Sequence, residues 1–275
     1  MIRLSMMARE GAGAPIDETV DLAADLGLDG IDIHLSGLDR DPERVKAIRW
    51  HCVRRGLTIG YAGSGSYAGP PEEKEQRLAK GRQDVDTAAL LGAQMLRVFA
   101  RAKWPDSVEE QERLWAPMVA SFQELSDYAA AQGVTLALQN HDESSFCMTA
   151  KQALRILGDV DRPNFHFLMD TGQWKGAIGS HVRGEFDPDV DLYEDYLRPT
   201  APHAIYVRAK IYKIDAGHEE WIDYPRVVRL LQEVGFNGSL GMVFEIGDRN
   251  SCGWEECVRL AARHLRQVLN EAQGG

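Results

Sequence analysis

The sequence predicts a single-domain α/β protein of the (β/α)8 class, a TIM barrel spanning residues 1–275. Two observations support this prediction. Short apolar runs alternate with amphipathic helical patterns from one end of the chain to the other, which is typical of parallel strands joined by helices. Eight such strand–helix units fit within this length, and eight units match a closed barrel better than an open sheet.

The first four units are marked by apolar runs that end at polar or glycine-rich segments. The predicted strands cover residues 2–7, 30–35, 57–61 and 95–100, and the helices that follow them cover about 16–26, 42–55, 72–91 and 108–132. Several predicted helices are followed by a glycine just before the next strand, as at Gly92, because glycine accepts the left-handed conformation that ends a helix. Residues 61–71 are rich in glycine, serine and proline, and we expect them to form a mobile loop on the catalytic face.

The last four units repeat the pattern with longer loops. The predicted strands cover residues 134–139, 164–170, 204–211 and 239–246, and the helices cover about 150–157, a region ending near 196, 224–234 and 254–269. The segment 171–188 is too long for a plain connection, so we expect it to cover a pocket. Loops after the strands of a barrel lie on the face where the active sites of barrel enzymes are located.

Charge and composition limit the classes of partner. The net charge of -11 disfavours a nucleic-acid partner, because such binding needs a basic face. No apolar run approaches membrane-spanning length and no signal peptide is evident, so we expect a cytoplasmic protein that acts on a small molecule. The four cysteines form no CxxC pair and are expected to be reduced thiols. Barrels of this kind often pair, so a homo-oligomer is compatible with the sequence.

Side chains able to bind a metal or move a proton stand at the carboxyl ends of the predicted strands. Asp170 and Glu245 are the strongest members, because each is an acid directly behind an apolar run, where a structural residue would more often be Val or Ile. The alternative is that they are buried ion-pair partners of Arg208 or Arg97. The wider set comprises His34, Tyr61, Arg97, Arg101, Gln139, His141, Arg208, Lys210 and Asp248.

Several of these positions suit contact with a sugar. Trp174, Trp104 and Tyr61 follow strands and can offer an aromatic face to a sugar ring. His34 can contact a sugar hydroxyl, although a lone histidine is more often a hydrogen-bonded structural residue. Arg97 can hold a phosphate or a carboxylate, but no helix-opening glycine motif supports a phosphate grip there.

Three motifs in the second half of the chain are more specific. They are Gln-Asn-His at 139–141, Asp-Thr-Gly at 170–172, and Gly-Phe-Asn-Gly at 235–238 followed by Phe-Glu at 244–245. Together they resemble the xylose-isomerase-like barrel superfamily of sugar phosphate isomerases and epimerases, over residues 2 to about 269. The resemblance implies a divalent cation, Mn, Mg or Co, held by a Glu, an Asp, a His and a Glu after strands five to eight. It also implies proton transfer beside a sugar carbonyl.

Two of the four metal ligands that the resemblance implies are present and two are replaced. Asp170 and Glu245 match the Asp after the sixth strand and the Glu after the eighth. Gln139 stands where the family has a Glu, and Arg208 stands where it has a His. His141 matches the His of the family's Glu-Asn-His motif.

Three interpretations of these replacements are open. A metal can remain on Gln139, Asp170 and Glu245, with Arg208 binding the substrate. Arg208 and Lys210 can instead replace the metal, since fixed cations also stabilise an enolate oxygen. In the third interpretation the barrel binds a carbohydrate without turning it over. Two converging carboxylates require either a metal or the two basic side chains nearby, and the family resemblance favours the metal.

The replacement of an acid by Gln139 also changes the expected chemistry. Epimerisation commonly uses a base on each face of a carbon, so the loss of one acid favours one-base chemistry such as elimination. His141 or Glu245 would be the base and Lys210 would hold the oxyanion, with Gln173 among the substrate-binding residues. We therefore predict an isomerase, epimerase or dehydratase-like lyase acting on a sugar, keto-sugar or cyclitol. The alternative is a non-catalytic carbohydrate-binding or regulatory barrel that has lost its metal site.

Overall fold

A computed structural model describes residues 1–9, 14–100, 105, 107–245 and 249–274, without the side chains of residues 9, 64, 181–183 and 273. Its sheet is a closed barrel of eight parallel strands in chain order, with the last strand paired to the first. The predicted fold class is therefore confirmed. Within the described part of the chain, no helix is long and apolar enough to cross a membrane.

Each strand is followed by helical structure that packs on the outside of the barrel. The strands are β1 (Arg3–Arg9), β2 (Gly30–His34), β3 (Thr58–Ser66), β4 (Met95–Phe99), β5 (Thr135–Gln139), β6 (Phe165–Asp170), β7 (Ala204–Ile211) and β8 (Ser239–Phe244). The helices are α1 (Ile16–Asp25), α2 (Pro42–Arg54), α3 (Lys74–Leu91), α4 (Val108–Ala131), α5 (Ala150–Val160), α6 (Arg198–Thr200), α7 (Tyr224–Glu233) and α8 (Trp254–Gly274). One large apolar core fills the space between the strands and these helices.

The third strand is longer than the sequence indicates. Residues 61–66, which we expected to begin a mobile loop, continue β3, and Ser66 pairs with Phe99 of β4. The glycines that make this segment resemble a linker have a packing role instead. A Cβ on Gly63 would lie 2.6 Å from the Nε of Arg97, so the glycine leaves room for that guanidinium inside the barrel.

The sixth unit departs most from a plain strand–helix repeat. A 3-10 helix at Ile178–Arg183 and a π-helical turn at Leu192–Leu197 precede the short α6. The carboxylate of Asp191 caps the π-helical turn by accepting the backbone N–H of Tyr193 at 2.8 Å. The backbone N–H of Lys175 donates to the carbonyl of Met148 at 3.1 Å, which ties the start of segment 171–188 to the loop after β5.

Candidate active site

Strand register brings most of the predicted residues to one end of the barrel. Asp170, the last residue of β6, pairs with Arg208 of β7, and Gln139 is the last residue of β5. Lys210 lies two residues beyond Arg208 and therefore on the same face of its strand. Glu245 directly follows β8, and its backbone N–H donates to the carbonyl of Ile211 at 2.9 Å.

Gln139 is the centre of a buried polar network. Its Oε1 accepts hydrogen bonds from Nη1 of Arg208 at 2.5 Å and from Nη1 of Arg97 at 3.4 Å. Its Nε2 donates to Oδ2 of Asp170 at 3.1 Å and to Oε1 of Gln173 at 2.9 Å. All of the hydrogen-bonding directions of the amide are thus used, and only this orientation matches donors with acceptors.

The two guanidinium groups are fixed positive charges. Burial, followed by repulsion from Arg208, lowers the pKa of Arg97 to about 10, so its side chain remains protonated at neutral pH. Its guanidinium also lies 4.1 Å from the centroid of the Phe99 ring. Burial alone would lower the pKa of Arg208, but Tyr61 and then Asp170 raise it overall. Nη1 of Arg208 is 3.1 Å from Oδ2 of Asp170, which forms a buried ion pair.

A second ion pair lies at the ends of β7 and β8. Nζ of Lys210 is 2.7 Å from Oε1 of Glu245. The lysine side chain is 2% exposed, whereas the glutamate side chain is 41% exposed. The buried ammonium thus holds an accessible carboxylate at the mouth of the barrel. This is an arrangement suited to taking a proton from a bound molecule while a cation stands beside the developing charge.

A divalent cation does not fit the predicted ligands Gln139, Asp170 and Glu245. Nη1 of Arg208 is 2.5 Å from the glutamine Oε1 and 3.1 Å from Oδ2 of Asp170, so a metal there would meet a positive charge. Glu245 is directed to Lys210. No cluster of three or more His, Cys, Asp or Glu side chains in the described residues could hold a metal. The geometry agrees with the interpretation in which Arg208 and Lys210 stand in place of the metal.

Asn140 joins the ends of β5 and β6. Its Oδ1 accepts the backbone N–H of Asp170 at 2.8 Å, and its Nδ2 donates to the carbonyls of Asp170 at 3.1 Å and Gln173 at 2.7 Å. Oδ1 of Asp170 also accepts the backbone N–H of Gly172 at 3.0 Å. Hydrogen bonds therefore fix both the backbone and the carboxylate of Asp170. Asn140 belongs to the Gln-Asn-His motif, but its role was not predicted from the sequence.

The two predicted histidines lie in different surroundings. His141 is 5% exposed, and its ring packs edge-on against Phe99 with the ring centroids 5.5 Å apart. Its Nδ1 lies 3.1 Å from the carbonyl oxygen and 3.3 Å from the backbone nitrogen of Glu143. His34 ends β2, and its Nδ1 accepts the backbone N–H of Ser36 at 3.2 Å. Both rings are thus oriented by the loops that follow their own strands.

The aromatic predictions need correction. Trp174 is fully buried and stacks on Tyr196 with the ring centroids 4.9 Å apart, so it belongs to the core and offers no face to a sugar. Tyr61 is also fully buried, edge-on to Tyr206 at 5.2 Å, and burial raises its pKa to about 12, so it is a neutral phenol. Its hydroxyl and the Nε of Arg208 have no hydrogen-bond partner among the described residues. Arg101, Trp104 and Asp248 lie outside the described residues.

A buried acid that was not predicted from the sequence lies inside the barrel. Oδ2 of Asp32 accepts hydrogen bonds from the hydroxyls of Tyr206 at 2.5 Å and Ser5 at 3.2 Å, and Oδ1 accepts the backbone N–H of Tyr61 at 3.2 Å. Burial raises the pKa of Asp32 to about 7. Polar and apolar residues alternate over 30–34, a pattern that places this acid on the inward face.

Comparison with known proteins shows the family of this chain. The model of one family, described as Xylose isomerase-like TIM barrel, matches residues 20–268. A curated L-ribulose 3-epimerase from Methylomonas sp. (strain DH-1) is 34% identical over 102 residues, which are 36% of this chain. The chain spans only 35% of the length of that relative.

Solved structures share the whole fold at low sequence identity. A crystal structure of D-psicose 3-epimerase in the presence of D-fructose superposes with a TM-score of 0.75 and 15% identity, covering 99% of this chain and 98% of the other. A xylose isomerase domain protein from Planctomyces limnophilus gives a TM-score of 0.74 and 18% identity, covering 100% and 99%. At these identities the likeness concerns the fold.

Proposed function

Because this chain belongs to the xylose isomerase-like TIM barrel family, we propose that it is a sugar isomerase or epimerase that moves a proton beside the carbonyl of a keto-sugar. The observation that carries the proposal is the Lys210–Glu245 pair, a buried ammonium 2.7 Å from a partly exposed carboxylate at the mouth of the barrel. The similarity to 3-epimerases supports a keto-sugar as the substrate class.

In the proposed reaction Glu245 is the base. Its carboxylate takes the proton from the carbon next to the carbonyl, and negative charge moves to the carbonyl oxygen as an enediolate forms. Lys210 and Arg208 are the cations that stabilise this oxygen, because they are fixed in place before the substrate arrives. His141 is the candidate for returning a proton on the other face of the carbon. No step uses a divalent cation, because the guanidinium of Arg208 contacts Gln139 and Asp170, two of the three ligands that the sequence predicted for it.

A deuterium-exchange experiment tests the base. The protein is incubated in heavy water with D-fructose and D-psicose, and deuterium at the carbon next to the carbonyl is followed by NMR. We expect exchange with the native protein and a loss of about 100-fold or more in Glu245→Gln. The matched control is Glu220→Gln, because Glu220 also pairs with a lysine at 2.9 Å, but the side chain of that lysine, Lys213, is 38% exposed. Equal losses in both variants would contradict the role of Glu245.

A lyase is the second candidate, favoured by the amide at Gln139. All four of its hydrogen bonds are satisfied, and an amide cannot take a proton, so the site lacks one of the acids that a two-base epimerase would use. The same experiment separates the candidates, because a lyase would release water and give an unsaturated product. No exchange and no product with any ketopentose, ketohexose or oxidised glycoside would favour the non-catalytic carbohydrate-binding barrel.

A further inference from the structure

The junction between β8 and α8 contains two thiols that the proposed reaction does not use. Cys252 lies two residues before α8, Cys257 lies in its first turn, and their Sγ atoms are 2.7 Å apart. Nonbonded carbon atoms rest about 3.5–4.0 Å apart, and sulfur is larger than carbon, so this contact is compressed. It is nevertheless longer than the bond of about 2.05 Å in a disulfide.

The surroundings give the two thiols different access to solvent. Cys252 is partly exposed, whereas Cys257 is fully buried behind it. Backbone hydrogen bonding fixes the buried residue, whose N–H donates to the carbonyl of Gly253 at 3.0 Å. An oxidant in solution therefore meets Cys252 first. The other two cysteines, Cys52 and Cys147, are buried elsewhere in the molecule.

We propose that Cys252 and Cys257 are a reversible redox pair that hydrogen peroxide converts to an intramolecular disulfide. The Cys252 thiolate attacks the peroxide, the O–O bond breaks, and a sulfenic acid forms as hydroxide leaves and is protonated to water. The Cys257 sulfur then attacks the sulfenic sulfur, so that the S–S bond forms, the S–O bond breaks and a second water leaves. The two thiols lose two electrons, which reduce the peroxide.

The environment of Cys257 agrees with its place in the second step. Burial, followed by a hydrogen bond with Cys252, raises the pKa of Cys257 to about 12, so its thiol is a poor first nucleophile at neutral pH. The second step is an attack within a preformed contact, where proximity offsets a low thiolate fraction. Formation of the disulfide should accordingly become faster as the pH rises.

The disulfide would fasten a segment that lies between the loop after β7 and helix α8. Oδ1 of Asn250 accepts the backbone N–H of Ile214 at 2.7 Å, and Oγ of Ser251 donates to Oδ2 of Asp215 at 3.0 Å. Residues 250–251 are thus attached to the loop after β7, and the disulfide would attach the next residue to α8. The proposal does not rest on the proposed function, because the bond forms or fails to form whatever the reaction.

Thiol titration of the full chain tests the pair. Samples treated with dithiothreitol or with hydrogen peroxide are denatured, and their thiols are counted; we expect four thiols after reduction and two after oxidation. Peptide mapping should join Cys252 to Cys257, and dithiothreitol should restore all four thiols.

Two variants make the result specific. Cys252→Ser should show three thiols under both conditions, whereas the control Cys52→Ser should show three after reduction and one after oxidation. Four thiols in the peroxide-treated native protein would overturn the proposal. So would a disulfide that joins any other pair or two separate chains.

Discussion

A single amide allows two guanidinium groups and a carboxylate to share the candidate site. Oε1 of Gln139 faces Arg208 and Arg97, and its Nε2 faces Asp170. A glutamate here would lose the donor and point an oxygen at the carboxylate of Asp170, so the two acids would depend on the neighbouring guanidinium groups, on a shared proton or on a bound cation. The resemblance implies a Glu and a His where this chain has Gln139 and Arg208, and because these two side chains contact each other, the two replacements are linked.

This linkage gives a prediction about metal binding. We expect the double variant Gln139→Glu with Arg208→His to bind close to one Mn²⁺ per chain, because it joins an acid and an imidazole to Asp170 and Glu245. The native protein should retain only traces. The measurement is elemental analysis after loading with manganese chloride and dialysis.

The single variant Gln139→Glu is the control for that measurement. It supplies a carboxylate but keeps the Arg208 guanidinium beside Asp170, so we expect it to bind manganese much more weakly than the double variant. One tightly bound manganese in the native protein would contradict the conclusion that the arginine excludes the metal.

At the scale of secondary-structure elements, the strand ends depend on side chains that link neighbouring loops. Asn140 makes three hydrogen bonds across the ends of β5 and β6. Asn164 makes two at the opposite end of β6, donating to the carbonyls of Ser126 at 2.8 Å and Val134 at 3.3 Å. The two asparagines stabilise the same strand, but only Asn140 contacts the backbone of the candidate site at Asp170.

Substitution of these asparagines separates stability from function. Asn140→Ala and Asn164→Ala should each lower the free energy of unfolding by about 1–3 kcal/mol, because each removes hydrogen bonds to buried or partly buried backbone groups. Only Asn140→Ala should also slow deuterium exchange at saturating keto-sugar, since it releases the backbone that positions Asp170. Urea unfolding and the NMR assay supply the two measurements. An equal loss of exchange in both variants would show that stability alone is responsible.

The sequence predicted the elements better than it predicted the contacts between them. Alternating apolar runs and helical patterns were sufficient to predict eight units. The continuation of β3 was missed because Gly63 is needed to leave room for Arg97, a residue of the next strand. Trp174 follows a strand, as a sugar-stacking residue would, yet the segment beyond it folds back and stacks it on Tyr196. The ion pair of Asp170 with Arg208 was one of the alternatives that the sequence offered, whereas the contact of the same guanidinium with Gln139 was not predicted.

At the scale of the whole molecule, closure of the barrel creates the environment of Asp32. Asp32 lies on β2, its hydrogen-bond partners come from β1, β3 and β7, and Gly241 of β8 also lies beside it. The pairing of β8 with β1 closes the barrel around this group. The hydroxyl of Tyr206 reaches Asp32 across 174 positions in the sequence. Position 241 requires glycine, since a Cβ on Gly241 would lie 2.5 Å from the hydroxyl of Tyr206.

This closed interior predicts an unusual dependence of stability on pH. Burial raises the pKa of Asp32 from its ordinary value of 3.8 to about 7, so the folded protein binds a proton that the unfolded chain has released. The contribution of Asp32 to the free energy of unfolding is fully present below about pH 4 and is lost as the pH rises through about 7. Glu219, whose pKa burial also raises to about 7, acts in the same direction. Carboxyl groups with lowered pKa values are already ionised above about pH 5 and do not oppose this trend.

Urea unfolding at several pH values between about 5 and 8 tests the effect of Asp32. We expect the free energy of unfolding of the native protein to fall with pH, with Asp32 contributing at most about 1.4 kcal/mol per pH unit below its pKa. Asp32→Asn should reduce this slope, leaving the part due to Glu219, whatever the variant does to absolute stability. Asp189→Asn, at an exposed position, should leave the slope unchanged. An unaltered slope in Asp32→Asn would mean that Asp32 is ionised inside the barrel, with its charge balanced by Arg208.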